Sequence, residues 1–111
     1  MATGREPKTL CLTAKRAATF AARLVGLMLK AGLPPEGGLL LTPCRSVHTC
    51  FMRFPIDVVF LDADFCVVAI VEHLSPWRFT AYNPQACHVL ELRAGDIARL
   101  DIRCGDTLSV C

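Results

Sequence analysis

The segment His48-Thr49-Cys50-Phe51-Met52-Arg53-Phe54-Pro55-Ile56-Asp57 brings an imidazole, a hydroxyl, a thioether and a guanidinium together in sequence. Directly after it comes Val58-Val59-Phe60-Leu61, a run that must be buried. Together these groups offer a small polar or anionic ligand several hydrogen-bond donors beside a soft apolar surface. Asp57 stands at the mouth of the apolar run, so its carboxylate needs a donor, and Arg53 and His48 are the candidates close in sequence. Either Asp57 ties down the loop after Pro55, as aspartates beside turns do, or it faces a ligand. His48 is either a hydrogen-bonded structural histidine or, oriented by Asp57, the general base of a hydrolase- or transferase-type enzyme. Thr49 and Met52 complete the candidate ligand surface, although plain core filling accounts for Met52 as well.

Three further groups belong to this candidate site. Arg23 lies one turn before the end of a predicted helix and is long enough to reach a carboxylate such as Asp57 or Glu91. Glu91 alternates with Leu90 and Leu92, so it faces away from the side they share; a solvated position is expected, with a pocket position as the alternative. Trp77 and Arg78 fall in a loop and could form a rim. A thiol nucleophile at Cys50 beside His48 is geometrically allowed, but no nucleophile, base and orienting group stand out as a set, which favours a binding module over an enzyme. Cys44, His48 and Cys50 lack the close cysteine pair of structural zinc sites. Cys87 and His88 are adjacent, so on one strand they point to opposite faces. The expectation is therefore no metal and no cofactor.

The elements that must position these groups follow from periodicity. Thr9 to Lys15 alternates as an amphipathic strand, and Thr19 caps a helix through Phe20, Leu24, Leu27 and Met28 that ends near Gly32 before Pro34-Pro35. Gly37-Gly38 opens a short strand over Leu39 to Leu41, which Pro43 closes. Ile56 to Leu61 is almost entirely β-branched or aromatic, which predicts a strand covered on both faces. A turn over Asp62 to Phe65 returns the chain into Cys66 to Leu74, making a hairpin expected at the sheet centre. Cys87 to Leu92 reads as a strand, Ala94 to Leu100 as a short helical turn and Thr107 to Cys111 as a closing strand. The predicted class is mainly β (α+β): a small β-sandwich or partly open barrel of about six to seven short strands with one helix in the N-terminal half.

Composition sets the outer limits. A chain of 111 residues fits one domain, with its core over about residues 9–111, large enough to remove roughly two-thirds of its unfolded surface from water. Hydrophobic residues make up 53% and charged residues 20%, far from disordered composition. The net charge is only +2 and the arginines are scattered, so no phosphate-neutralising stripe forms and nucleic acid is not an expected partner. No apolar run nears the roughly 20 residues needed to span a bilayer, and Met1 to Lys8 has no apolar leader segment. A soluble, cytoplasmic protein is the expectation, a processed secreted form being the alternative. The seven cysteines are an odd number and several sit in apolar runs, so reduced thiols are expected.

Several motifs recur together in a known order. These are Arg23-Leu24-Val25-Gly26-Leu27-Met28, Gly38-Leu39-Leu40-Leu41, His48 to Asp62, Val89-Leu90-Glu91-Leu92-Arg93-Ala94-Gly95 and Gly105-Asp106. In that order they resemble domain-of-unknown-function family 192 from about Leu10 to Val110. The resemblance implies a small, mainly β fold with one helix and no assigned reaction. It carries over Arg23, His48, Met52, Asp57 and Glu91 as a ligand site. Some family members lie beside pilus-assembly genes, which suggests an accessory module for pilus or envelope assembly. Two departures stand out. Phe51-Met52-Arg53-Phe54 replaces a Trp-Met pair followed by an Asn-Thr pair, and Asp64-Phe65-Cys66 replaces a turn glycine, so a non-glycine or longer turn is expected.

Overall fold

A computed structural model of the chain describes residues 6–17, 37–42, 44–46 and 54–110. Six strands are present: β1 (Thr9–Ala17), β2 (Gly37–Leu41), β3 (Ile56–Leu61), β4 (Val67–Leu74), β5 (His88–Arg93) and β6 (Thr107–Val110). The one helix among the described residues is α1 (Asp96–Leu100). The earlier helix expected from Thr19 onward falls outside the described residues.

The strands run in the order β4-β3-β5-β2-β1-β6. β3 forms the expected hairpin with β4 and pairs antiparallel with β5 on its other side. β5 is antiparallel to β2, whereas β1 is parallel to both β2 and β6. The hairpin is therefore not the centre of the sheet: β3 and β5 are interior, and β4 lies at the end of the order. β1 changes partner along its length, Thr9 to Leu12 pairing with β6 and Thr13 to Ala17 with β2. This turns the sheet back toward its start, where Cys66 bridges Thr107 and the Leu108 amide donates to the Phe65 carbonyl at 2.9 Å. The described strands form a curled, unclosed sheet, in keeping with a partly open barrel.

Alternation along the strands separates two apolar layers. One holds Leu39, Leu41, Ile56, Val58, Phe60, Ala86 and Val89. The other includes Leu12, Leu40, Val59, Leu61, Leu90, Leu92, Ile97, Ile102 and Leu108. All six residues of β3 are buried, as its composition predicts, and burial of each of its apolar side chains is worth about 1.5–3 kcal/mol. At the turn after β3, Asp62 accepts from the amides of Asp64 (2.8 Å) and Cys66 (3.0 Å), and Phe65 takes a left-handed φ of 62°. A non-glycine residue thus occupies the conformation that glycine adopts most easily, as the sequence departure suggests.

Candidate functional site

β5 carries Glu91 through the middle of the sheet. The register sets Leu39 of β2 and Val58 of β3 on either side of it, and Val71 of β4 beyond Val58. Cross-strand partners share a face, so Glu91 points into the apolar layer containing Leu39 and Val58. Its side chain is 0% exposed, and among the described residues neither carboxyl oxygen has a hydrogen-bond partner. Burial pushes its carboxyl from 4.5 up to about 8, so at neutral pH the group is mostly protonated. The expected solvated position is corrected here. β5 is an interior strand with both faces covered, so a residue alternating with Leu90 and Leu92 is buried on the opposite face instead of reaching water. Among side chains described on β5, Arg93 shares the face of Glu91 two positions along, but it is exposed at the strand end.

Asp57 is also fully buried, for a different reason. One oxygen accepts from the His73 amide at 2.8 Å, and the other accepts from the amides of Gly95 at 3.0 Å and Ile97 at 2.9 Å. Three of its roughly four lone-pair positions are thus taken by backbone donors. Gly95, at φ 96°, precedes α1 and has no side chain to cap it, so Asp57 of β3 satisfies the first helical amides from across the fold. The same carboxylate fixes the irregular end of β4, where His73 sits at φ 53° and the β3–β4 register shifts between Ile56 and Val58.

The two described carboxylates do not meet. Asp57 pairs with Leu92 and Val58 pairs with Glu91, and adjacent residues of β3 face opposite sides. Asp57 and Glu91 therefore lie on opposite faces of one sheet, which separates two of the residues that the family resemblance implies for one ligand site. Arg23, His48, Thr49, Met52 and Arg53 fall outside the described residues, as does Cys50. Trp77 and Arg78 are exposed in the loop after β4, with Trp77 at φ 63°. That loop leaves the end of the sheet where Leu74 pairs with Ile56, and Ile56 with Arg93. Farther along it, Arg45 donates to the Tyr82 hydroxyl and the Ala86 carbonyl, both at 2.9 Å, and clamps residues 44–46 onto the loop. His88 is held by Thr42 at 2.7 Å and stacks on Phe65 with centroids 4.3 Å apart, a structural role. Among the described residues no group of three or more metal-ligating side chains comes together, and no helix is long and apolar enough to cross a membrane.

The curled, mixed sheet is an architecture of small β domains already seen in solved structures. A protein of unknown function from Novosphingobium aromaticivorans superposes with a TM-score of 0.73 at 26% identity, covering 83% of this chain and 70% of that one. A Sinorhizobium meliloti protein described as a candidate transcription regulator gives 0.75 at 24% identity, covering 83% and 76%, and shows the fold alone. In sequence, a UPF0127 protein of Pyrococcus furiosus is 33% identical over 106 residues, which span 91% of this chain and 89% of that protein. The model of domain-of-unknown-function family 192, Uncharacterized ACR, matches residues 2–110, and the chain belongs to that family.

Proposed function

We propose that the chain is a non-catalytic binding module whose ligand seats against the sheet face that carries Glu91. The observation behind this reading is the Glu91 carboxyl, wholly buried and without a partner among the described residues. An unpartnered polar group of this kind costs about 1–3 kcal/mol, and a hydrophobic residue at the same place would avoid the cost. A ligand that hydrogen-bonds the carboxyl recovers it. In this reading Arg23, His48, Thr49, Met52 and Arg53 complete the ligand surface, Trp77 and Arg78 form its rim, and Asp57 holds the frame from the other face. The enzyme alternative, with Asp57 orienting His48, draws little from an aspartate whose oxygens already serve three amides. A pilus or envelope partner rests on the family resemblance alone.

A fragment screen by protein NMR, run in parallel on the wild-type chain and on Glu91→Met, tests the reading. Fragments that perturb the amides of Leu39, Val58 and Glu91 in wild type, and that Glu91→Met no longer binds, are the expected result. Binding that Glu91→Met leaves unchanged, or that maps away from these strands, overturns it.

A further inference from the structure

We propose that Cys44 and Cys87 form a thiol–disulfide exchange site, which reacts with a small organic disulfide such as glutathione disulfide and closes to a disulfide between the two residues. The site does not depend on the binding reading above. Two segments distant in the chain bring the thiols together. Just beyond the β2–β5 ladder, where Thr42 holds His88, the Cys44 amide donates to the Cys87 carbonyl at 3.0 Å. Residues joined by such a bond have Cα atoms about 5–6 Å apart. That separation lies inside the window of roughly 4.4–6.8 Å that a disulfide requires. The side chains also share a side. Cys44 packs against the apolar layer that contains Val89, and strand alternation carries Cys87, two residues before Val89, to the same layer. Both residues are partly exposed thiols, which gives a small reagent access.

Arg45 singles out Cys87 as the attacking group. Its guanidinium is pushed above the ordinary arginine range, chiefly by the hydrogen bond and charge of Tyr82 and in smaller part by the Cys87 thiol, so a cation stands beside that sulfur. Bonds of 2.9 Å to the Ala86 carbonyl and the Tyr82 hydroxyl fix the cation there. Thiols attack as thiolates, and reactive cysteines lie in electropositive, partly exposed surroundings. Cys66 is the opposite case: burial first, and then the carboxylates of Asp62, Asp106 and Asp64, push its thiol up and away from the reactive form.

In the first step the Cys87 thiolate attacks one sulfur of the organic disulfide. The S–S bond breaks, and the departing organic thiolate takes up the proton that Cys87 released. In the second step the Cys44 thiolate attacks the Cys87 sulfur, and the second organic thiol leaves with the Cys44 proton. The protein loses two electrons and the organic disulfide gains them. The test treats the full reduced chain at pH 7 with millimolar glutathione disulfide, blocks the remaining thiols with N-ethylmaleimide at intervals, and digests with trypsin without reduction. Cuts after Arg45, Arg53, Arg78 and Arg93 leave Cys44, Cys50, Cys66 and Cys87 on different peptides. Mass spectrometry should find the Cys44–Cys87 peptide pair as the main product, with Cys66 reacting later. Cys44→Ser should stop the reaction at glutathione on Cys87, and Cys44→Ala gives the same reading if serine disturbs folding. Arg45→Met should slow modification of Cys87 by about two- to fivefold, the size of an exposed charge pair, and leave Cys66 unchanged. A main product that links either residue to a different cysteine, such as Cys50, would overturn the proposal. So would glutathione that persists on Cys87 in the wild type, a Cys66 that reacts before Cys87, or a Cys87 rate indifferent to Arg45→Met.

Discussion

Two buried carboxylates on adjacent strands have opposite roles because their donors differ. Asp57 meets three backbone amides; among the described residues Glu91 meets none. Asp57→Ala strands the amides of His73, Gly95 and Ile97, and each buried orphan costs about 1–3 kcal/mol. The variant should therefore lose at least about 3 kcal/mol in chemical denaturation, with faster hydrogen exchange at those three amides. Glu91 behaves in the opposite sense. Its folded-state carboxyl titrates near 8 instead of 4.5, so the folded state holds the proton more tightly than the unfolded state. Its contribution to stability is fully present below about 4.5 and is lost as the pH rises through 8. Over that window the loss is on the order of 5 kcal/mol, at about 1.4 kcal/mol for each tenfold change in proton affinity. Glu91→Met should be more stable than wild type at pH 8 by about 2 kcal/mol or more, the gap narrowing toward pH 5 in parallel denaturation curves. A gap that does not change with pH would remove the assignment of a neutral carboxyl.

At the scale of elements, the strands were legible because their alternation and turn residues agree. Ile56–Leu61 is a strand covered on both faces, and the turns after it and before β6 fall where Asp62 and Gly105-Asp106 stand. What a single strand cannot announce is which strands flank it. The pattern Leu90-Glu91-Leu92 has the same form in an edge strand with a wet face as in an interior strand with two dry ones. The order β3-β5-β2 decides between them. β3 itself does not, since one of its two neighbours, β5, is buried on both faces and the other, β4, is not. Gly38 shows the same dependence on neighbours. A Cβ built there would lie 2.5 Å from the Glu91 carbonyl oxygen and 2.8 Å from Leu92 Cδ2, and the first of these is backbone that cannot turn aside. Gly38→Ala must therefore push β2 away from β5. A loss of about 1–3 kcal/mol in denaturation and faster amide exchange along both strands are expected, whereas a neutral substitution would mean that β2 and β5 leave room for a methyl group between them.

For the molecule as a whole, the curled sheet makes each face a separate compartment. One compartment is closed by α1 and organised by Asp57; the other contains the unpaired acid. Family resemblance pointed to Asp57 and Glu91 as a common site, and sequence spacing had no means of separating them, because the face a residue takes is set by pairing between strands distant in the chain. The fold was therefore readable from local pattern, while the division of labour between the two acids needed the register. The binding role of the Glu91 face depends on the state of Glu91 in the free protein. The most direct measurement is the titration of its carbon-13-labelled carboxyl by NMR from pH 3 to pH 10. A midpoint near 8 is predicted; a midpoint near 4.5, the value of an ordinary solvated glutamate, would contradict it.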